Sequence, residues 1–365
     1  LRLATAVIEN VTVKGVINSE KGRYTGGIVG YARTKDTKIR NCTNEAKVTS
    51  SLDRVGGICG HFQSGEITGC VNRGEIVSTF AYNQKAFVGG IMGISSEPTL
   101  IEGCTNTGDV IVTGQYAGGI MGASESTVVV RRCSSDSKVR GAQFVGGISG
   151  AIGVGALDVT GKFSITIENC WTGGSLDCYN GQCGGGIIGE MPAANSCVKN
   201  CWSEMAVTGQ RVIGGILGRS CAKNASSTGW VTTFAISDGS TAVPSVQNCI
   251  AWNPSIVCTD LRPYDACGGS GAVIGYTSFK NKSGSCYRNP SMAFTPSDSR
   301  QSFVDQPDCD GTNWVLGTTE GTAETYCAPY HGKAAEAQAT VSSIAKALKW
   351  DESVWNLSGD KPALK

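Results

Sequence analysis

Gly26-Gly27-Ile28-Val29-Gly30 is the first of seven copies of the phrase Gly-Gly-Ile-x-Gly in this chain. Successive copies begin 28 to 39 residues apart. A repeat of about 29 residues is typical of solenoid proteins, in which each repeat forms one coil that stacks on the next. The copies begin at Gly26, Gly56, Gly89, Gly118, Gly146, Gly185 and Gly214, and Gly271-Ala272-Val273-Ile274-Gly275 is an eighth, degenerate copy.

A second phrase accompanies the first and consists of a β-branched residue, two residues that are mostly polar or Gly, and then Cys or, in the first copy, Val. A turn rich in Asn and Gly follows it, and then a short β-branched run such as Val110-Ile111-Val112-Thr113. Each unit is therefore predicted to form three short strands separated by turns. The copies are Ile8-Glu9-Asn10-Val11, Ile39-Arg40-Asn41-Cys42, Ile67-Thr68-Gly69-Cys70, Ile101-Glu102-Gly103-Cys104, Val130-Arg131-Arg132-Cys133, Ile167-Glu168-Asn169-Cys170, Val198-Lys199-Asn200-Cys201 and Val246-Gln247-Asn248-Cys249.

This pattern predicts an all-β fold, a right-handed parallel β-helix solenoid of about eight or more coils. Stacked coils pair edge to edge about 4.8 Å apart, and Gly-Gly suits places where neighbouring backbones approach closely. Leucine-rich repeats are excluded because the Leu-x-x-Leu-x-Leu signature is missing, and a propeller would need about 40 residues per blade. We expect the repeat domain to span residues 1–288 and a capping segment to span residues 289–365.

The charge balance excludes one class of partner. The chain has 365 residues, with 31 Lys and Arg against 30 Asp and Glu, and a formal net charge of +1. Nucleic-acid-binding proteins present clustered basic residues, and no such run is present, so we expect no nucleic-acid partner. No stretch approaches 18 consecutive apolar residues, so we expect no membrane span in this sequence. We also expect no cofactor.

The Gly-Gly-Ile-x-Gly phrase with its trailing Asn-Cys strand resembles the Glug repeats of bacterial cell-surface proteins and of streptococcal immunoglobulin A peptidases. The resemblance covers about residues 1–288. The end of the chain, from Trp350 to Leu364, also resembles the closing segment of such proteins from Bacteroides-type gut bacteria. The resemblance implies export to the bacterial cell surface and an adhesin-like or scaffold role. The resemblance does not imply peptidase activity, because the sequence has no His-Glu-x-x-His motif.

One group of cysteines recurs at a single repeat position. Because Val11 takes this position in the first unit, we expect a small buried apolar slot rather than a metal site. A spacing of about 29 residues is also far from that of zinc ligands, so we expect no metal. Cys59, inside its own Gly-Gly-Ile-Cys-Gly phrase, is expected to pack in the same way. The ladder positions are Cys42, Cys70, Cys104, Cys133, Cys170, Cys201, Cys249 and Cys286.

The remaining cysteines are candidates for disulfides. Such bonds would brace protruding loops and would need an oxidising compartment, and the alternative is that all these cysteines are reduced. The pairs suggested by the sequence are Cys178–Cys183, Cys197–Cys221, Cys258–Cys267 and Cys309–Cys327.

Three tryptophans are candidate ligand contacts. Trp171 and Trp202 directly follow ladder cysteines, so strand alternation points them outward, and Trp252 comes three residues after Cys249. Two outward indoles on successive coils would form a flat strip that can stack on sugar rings. The alternative is that the long insertions between Gly150 and Cys170 and between Gly218 and Cys249 fold over the strip and bury it.

Catalytic signals are weak. Neither His61 nor His331 has an acidic residue at a spacing that indicates a dyad, and both are expected at the surface. Glu9, Glu102 and Glu168 share one register, but only on non-adjacent coils, whereas glycan-cleaving β-helix enzymes need carboxylates gathered on adjacent coils. Asp305, Asp308 and Asp310 form an acidic turn that lacks the closing Glu of a calcium loop, and a solvated turn is the preferred interpretation.

The C-terminal segment contains one helical pattern. Between Ala334 and Trp350, the residues Val341, Ile344, Ala345 and Leu348 share one face. We expect this helix to cover the open edge of the last coil, with Trp350 and Trp355 packed inside the cap.

Together these features predict a non-enzymatic, exported cell-surface protein, a monomer that binds a host or dietary glycan or a surface protein. Two alternatives stay open. One is a glycan-cleaving β-helix enzyme, a polysaccharide lyase or a glycoside hydrolase. The other is a structural spacer without a ligand.

Overall fold

The computed structural model describes residues 6–152, 163–191, 196–220, 222–223, 230–231, 234–235, 241–242, 245–260, 270–277, 285–295 and 331–365. In these residues the chain forms a parallel β-helix, as predicted, and every coil passes in turn through three faces of strands. We number the coils 1 to 8 by their strands on the first face, which are Val7–Glu9, Thr37–Arg40, Gly65–Thr68, Thr99–Glu102, Val128–Arg131, Ile165–Glu168, Cys197–Lys199 and Ser245–Gln247.

The other two faces complete each coil. The third face also has eight strands, Val29–Ala32, Cys59–Phe62, Met92–Ser95, Met121–Ser124, Ser149–Ile152, Ile188–Glu190, Leu217–Ser220 and Ile274–Thr277. The second face has 23 strands, because a bend splits it in most coils. They are Thr12–Val13, Val16–Ser19, Thr25–Gly26, Thr43–Asn44, Lys47–Ser50, Val55–Gly56, Val71–Asn72, Ile76–Ser78, Lys85–Gly89, Thr105–Asn106, Val110–Val112, Gln115–Gly118, Ser134–Gly141, Val145–Gly146, Trp171–Gly185, Trp202–Ser203, Ala206–Gly214, Ile250–Ala251, Ser255–Cys258, Ser270–Gly271, Tyr287–Arg288, Ala293–Thr295 and Lys333–Ala334.

Three short antiparallel pairs complete the strands of the described residues. Two lie in the long insertion after coil 7, and the third lies near the end of the chain. The pairs are Ala222–Lys223 with Trp230–Val231, Phe234–Ala235 with Thr241–Ala242, and Trp355–Asn356 with Ala363–Leu364.

The two glycines of the repeat phrase are required by close backbone contacts. A Cβ on Gly56 would lie 2.1 Å from the carbonyl oxygen of Cys59, within its own turn. A Cβ on Gly57 would lie 2.0 Å from the carbonyl oxygen of Gly90 on the next coil and 2.5 Å from the side chain of Asn72. The second glycine therefore allows neighbouring coils to stack in register at this corner.

The sequence analysis missed a column of buried amides beside these glycines. Asn44 Nδ2 donates to Asn72 Oδ1, and Asn72 Nδ2 donates to Asn106 Oδ1, both at 2.7 Å. All three side chains are fully buried. Their hydrogen bonds remove the cost of burying polar groups, and they also fix the register between coils. An Asn two residues after each of Cys42, Cys70 and Cys104 was the available signal.

The ladder cysteines form the predicted interior column of thiols. All eight are buried, and their thiols lie against backbone carbonyls of the preceding coil, as in the 3.5 Å contact from Cys104 Sγ to Ile67 O. Contact with Cys104 and burial both raise the pKa of the Cys70 thiol. Cys59 is buried in the same core, and burial raises its pKa to about 12. These thiols therefore act as small hydrophobic side chains.

Cys178 and Cys183, one of the predicted disulfide pairs, are both buried, and the bond between them stays a prediction. Strand alternation points Cys178 into the core, where its Sγ donates to Ala142 O at 3.7 Å. Cys183 adopts a left-handed backbone, with φ at 73°, at the corner between the second and third faces. Cys221, Cys267, Cys309 and Cys327 lie outside the described residues, so the pairs of Cys197 and Cys258 and the pair Cys309–Cys327 stay predictions, as does the interpretation of the acidic turn at Asp305.

Strand pairing continues past residue 288, because Lys333–Ala334 pairs in parallel with Tyr287–Arg288. His331 is buried beside this strand, and its Nδ1 lies 3.3 Å from the backbone nitrogen of Ala272. At Tyr287–Arg288 the sheet edge is therefore covered by a strand, and the predicted short helix follows it in the C-terminal cap.

The α-helix spans Val341–Ala347 and is shorter than predicted, because Ala334 belongs to a strand. It begins after Thr340, whose hydroxyl accepts a hydrogen bond from Ser343 N in a capping box. Its buried side chains, Val341, Ile344 and Ala345, belong to a second hydrophobic cluster on the side of the solenoid. Trp350 and Trp355 are buried in this cluster, as predicted.

We expect Gly57→Ala to destabilise the protein by several kcal/mol, on the order of a severe overpacking substitution. The added methyl group would lie 2.0 Å from Gly90 O, so neighbouring coils would have to separate. Urea denaturation measures the effect. Gly359→Ala is the matched control, because its Cβ would meet nothing closer than 3.8 Å. Equal midpoints for the two variants would contradict this account of the repeat.

We also expect the protein to lose stability as the pH falls from about 6.5 towards 4. Burial, assisted by the charge of Arg288, lowers the pKa of His331 to about 3, whereas an unfolded imidazole takes up a proton near 6.5. Between these values only the unfolded state binds the proton, so His331 alone lowers the stability by roughly 2 kcal/mol between pH 7 and pH 5. His61, whose pKa is lowered by burial to about 4, adds a loss of its own. Thermal unfolding of the parent and of His331→Gln at both pH values measures this loss. An equal loss in the two proteins would show that His331 is not its source.

Candidate functional site

Trp171 and Trp202 occupy matching positions on adjacent coils, as predicted, at the corner between the first and second faces. Parallel pairing places them in register, with ring centroids 5.4 Å apart and planes inclined by 14°. The same row continues to Ser134 on coil 5 and to Ile250 on coil 8. The corner therefore carries a stacked pair of indoles.

The C-terminal segment covers one of the two indoles. Trp202 is only 2% exposed and lies in one cluster with Ile344, Trp350 and Trp355. Hydrogen bonds fasten the segment to the corner, since Trp350 Nε1 donates to Asn248 O at 3.1 Å. Trp202 is therefore mainly a core residue, but part of it also lines the cleft described below, so its contact with a ligand stays a prediction.

In the described residues the C-terminal segment forms this cover. The alternative that the long insertions bury the strip falls on residues 153–162 and 221–244, most of which lie outside the described part of the chain, so it stays a prediction. Trp355 Nε1 donates to Asn169 Oδ1 at 3.3 Å, and Lys361 forms an ion pair with Glu204 on coil 7. The C-terminal segment thus runs back along the solenoid from coil 8 towards coil 5.

Trp252 does not join the strip. Ile250 takes the position in register with Trp202, and Trp252 lies two residues further along the strand. Its partly buried side chain packs against the same cluster as Trp202, and it does not line the cleft described next.

Trp171 lies in a cleft between the corner and the C-terminal segment, which we call the Trp171 cleft. Its volume is about 800 Å³. One wall is the solenoid corner from coil 3 to coil 7, and the other wall is residues 361–365. Hydroxyl groups of Thr68, Thr105 and Ser134 line the solenoid wall beside the half-buried indole of Trp171. The cleft thus combines an aromatic face with neutral hydrogen-bonding groups.

Glycines form the corner of coils 3 and 4 within the cleft. This corner residue has a left-handed backbone in every coil, with φ at 61° for Gly69 and 62° for Gly103. Asn41 and Asn169 take the same place in coils 2 and 6. Because Gly has no side chain, the solenoid wall is hollowed at coils 3 and 4.

Most charged groups of the cleft are paired with one another, and Lys365 Nζ instead donates to the backbone oxygen of Glu352. Glu102 lies 2.9 Å from Arg131 Nη2 and 3.7 Å from Arg132 Nη1. Glu204 pairs with Lys361 of the opposite wall. The residues in register with Glu102 on coils 5 to 7 are Arg131, Glu168 and Lys199, so acidic and basic side chains alternate along the axis. Glu168 pairs with Lys199 at 2.8 Å. Carboxylates on this row are therefore separated by a basic residue, as the sequence register predicted.

A column of aromatic side chains follows the corner between the second and third faces, and the sequence analysis did not find it. Tyr116 stacks on Phe144 with centroids 4.7 Å apart and lies 5.2 Å from Phe87. These residues precede successive Gly-Gly phrases and have left-handed backbones. Phe87 and Tyr116 are buried in a cluster with Ile94 and Ala123, so the column is structural.

His61 lies near the start of this column and is buried, contrary to the expectation that both histidines lie at the surface. Its ring stacks on Tyr31 with centroids 4.6 Å apart, and Nε2 lies 2.7 Å from Ser96 Oγ. Burial, followed by the charge of Arg54, lowers its pKa to about 4. His61 is therefore neutral at physiological pH.

The described residues lack two kinds of feature. Among them, no helix is both long enough and apolar enough to span a membrane. The same part of the chain contains no group of three or more His, Cys, Asp or Glu side chains placed to hold a metal ion.

Comparison with known proteins gives two similarities. No family model matches the chain, so the resemblance to Glug repeats rests on the repeat phrases themselves. The chain is 34% identical over 125 residues to halomucin of Haloquadratum walsbyi, which covers 32% of this chain and 1% of that protein. The chain thus spans about one hundredth of the length of halomucin. A crystal structure of "a putative immunoglobulin A1 protease" from Bacteroides ovatus aligns with 99% of this chain and 86% of that one, at 16% identity and a TM-score of 0.39.

We expect Trp202→Ala to lower the free energy of unfolding by about 3 to 5 kcal/mol, as is usual for loss of a buried indole. Trp171→Ala should cost clearly less, because Trp171 is only half-buried and one wall of its site is an open cleft. Chemical denaturation followed by circular dichroism measures both values. Equal losses would contradict the different burial of the two tryptophans.

Proposed function

We propose that the protein is a non-enzymatic glycan-binding scaffold of the bacterial cell surface and that the Trp171 cleft is its binding site. The observation that carries the proposal is the half-buried indole of Trp171 in a cleft of about 800 Å³ lined by hydroxyl groups. Sugar rings stack their apolar faces on aromatic side chains and exchange hydrogen bonds with polar neighbours.

The geometry supplies both parts of such a site. Trp202 backs Trp171 on one side, so the indole plane is held by packing rather than by the ligand. A binding group that is fixed before association loses little conformational entropy when the ligand arrives. Thr105 and Ser134 lie on adjacent coils of the same corner, where Ser134 Oγ donates to Thr105 Oγ1 at 3.3 Å, so the Thr105 hydroxyl can donate its own proton to a ligand.

The charges favour binding over glycan cleavage. Glycoside hydrolysis needs one carboxyl group that keeps its proton and a second that is ionised. Glu102 and Glu204, the two acidic side chains of the cleft, lie on coils 4 and 7, about 14 Å apart along the axis, which is more than the roughly 5–10 Å between the carboxyl groups of glycosidases. A glycan-cleaving enzyme is therefore the less favoured alternative.

Three indications support the proposed cell-surface location. They are the resemblance of the repeat to bacterial surface proteins, the 34% identity to part of halomucin, and the stacked β-helix, which lifts a site away from its point of attachment. We infer a monomer with a host or dietary glycan as ligand, and a surface protein is the alternative ligand.

A glycan and mucin array tests the proposal, with parent protein and Trp171→Thr compared on the same array. Thr stands in register with Trp171 in coil 4, as Thr105, so this strand position accepts it. We expect the parent to bind a defined set of glycans and the variant to bind at least tenfold more weakly, because the stacking surface is lost.

The matched control is Tyr82→Thr, which removes an exposed aromatic ring outside the cleft and should leave binding unchanged. Thermal unfolding confirms that both variants fold. If the parent binds and Trp171→Thr binds equally well, the site lies elsewhere. If the parent binds no glycan, the proposed function is wrong, and release of reducing sugar from any glycan would establish the enzyme alternative.

A further inference from the structure

We infer that the Trp171 cleft takes a neutral, linear oligosaccharide of about four sugar residues, laid along the solenoid axis. This inference rests on the proposed function and adds the length, direction and charge of the ligand. Three observations carry it: the extent of the cleft along the coils, its glycine-lined floor, and the pairing of its charges.

The cleft follows the stacking direction of the coils. Its solenoid wall contains Thr68 on coil 3, Glu102 on coil 4, Arg132 on coil 5, Trp171 on coil 6 and Glu204 on coil 7. Four steps between stacked coils amount to about 19 Å. An extended chain of about four pyranose rings has this length, whereas a single sugar would occupy only about one step.

The floor is open where the ligand would lie. A Cβ on Gly103 would have no neighbour nearer than Gly69 N at 3.9 Å, so the space above this corner is empty. In coils 2 and 6 the same corner carries the side chains of Asn41 and Asn169. Glycine at coils 3 and 4 therefore extends the cleft away from Trp171 and along the axis.

The residues beside this floor carry hydroxyl groups on coils 4 and 5 and an indole ring on coil 6. Thr105, Ser134 and Trp171 stand in register on coils 4, 5 and 6. Trp202 covers one face of Trp171, so a sugar residue at the end of the chain can pack on the opposite face, which points towards coil 5. A residue further along the chain can reach the Thr105 hydroxyl on coil 4, which accepts a hydrogen bond from Ser134 Oγ at 3.3 Å.

Paired charges favour a neutral chain. Glu102 is bridged by Arg131 and Arg132, and Glu204 is bridged by Lys361. An acidic glycan would have to compete with these carboxylates for the same cations. A neutral glycan leaves the ion pairs intact and can still accept hydrogen bonds from their outer N–H groups.

Titration calorimetry with oligosaccharides of one to six residues tests length and charge on the full chain. The probes are neutral gluco-, manno- and N-acetylchito-oligosaccharides, with oligogalacturonides as the acidic series. We expect one neutral series to gain at least tenfold in affinity from two to four residues and little beyond. Equal affinity for one and four residues, or tighter binding of oligogalacturonides, would overturn this inference but leave the proposed function standing. Failure of every probe and of the array would remove both.

Gly103→Asn tests the direction of the chain. The left-handed corner accepts Asn, as it does in coils 2 and 6, so we expect the variant to fold. Its side chain would fill the floor two coils from Trp171, and we expect the tetrasaccharide to bind at least tenfold more weakly while the disaccharide is little affected. The neighbouring Gly69 is less suitable, because a Cβ there would lie 2.5 Å from Asn41 Oδ1.

The matched control is Gly15→Asn, which introduces the same side chain at an exposed glycine that has no neighbour within 4 Å. It should bind like the parent. If Gly103→Asn folds and binds the tetrasaccharide as tightly as Gly15→Asn does, the ligand does not lie along the glycine floor and the inferred direction is wrong.

Discussion

The stacking of one backbone on the next at the second glycine of each repeat is the constraint on which the structure depends. A single methyl group on Gly57 would lie 2.0 Å from the carbonyl oxygen of Gly90. Because the coils meet here without side chains, every other position is held in register with its counterpart one coil away. The columns of Cys, of Asn and of aromatic side chains, and the stacked pair of Trp171 and Trp202, all follow from that register.

The same register places Trp171 and Trp202 side by side, and this pairing leads to the burial of Trp202. Two indoles on adjacent coils form an apolar surface whose burial is favourable, and the C-terminal segment covers Trp202 with Ile344, Trp350 and Trp355. Residues 361–365 lie opposite coils 3 to 7. Gly69 and Gly103, at the corner of coils 3 and 4, have no side chains and leave space between the two walls. The Trp171 cleft is therefore the gap between the C-terminal segment and the solenoid.

The sequence was sufficient for the parts of the fold that repeat. Period and phrase predicted the parallel β-helix, the interior position of the Cys column and the register of Trp171 with Trp202, because each depends on contacts between equivalent residues. Contacts between distant segments were not predictable in this way. The short helix of the C-terminal cap was predicted, but the strand Lys333–Ala334, which covers the sheet edge at Tyr287–Arg288, was not. Burial of His61 and His331 likewise depends on neighbours that no local pattern shows.

Hydroxyl-radical footprinting read by mass spectrometry tests the central claim, that Trp171 is the accessible, ligand-facing member of the stacked pair. We predict that Trp171 is oxidised in the free protein while Trp202, only 2% exposed, is not. A bound glycan should then protect Trp171 and leave the oxidation of the exposed Tyr82 unchanged. Equal oxidation of Trp171 and Trp202, or glycan protection confined to residues outside the Trp171 cleft, would contradict the account.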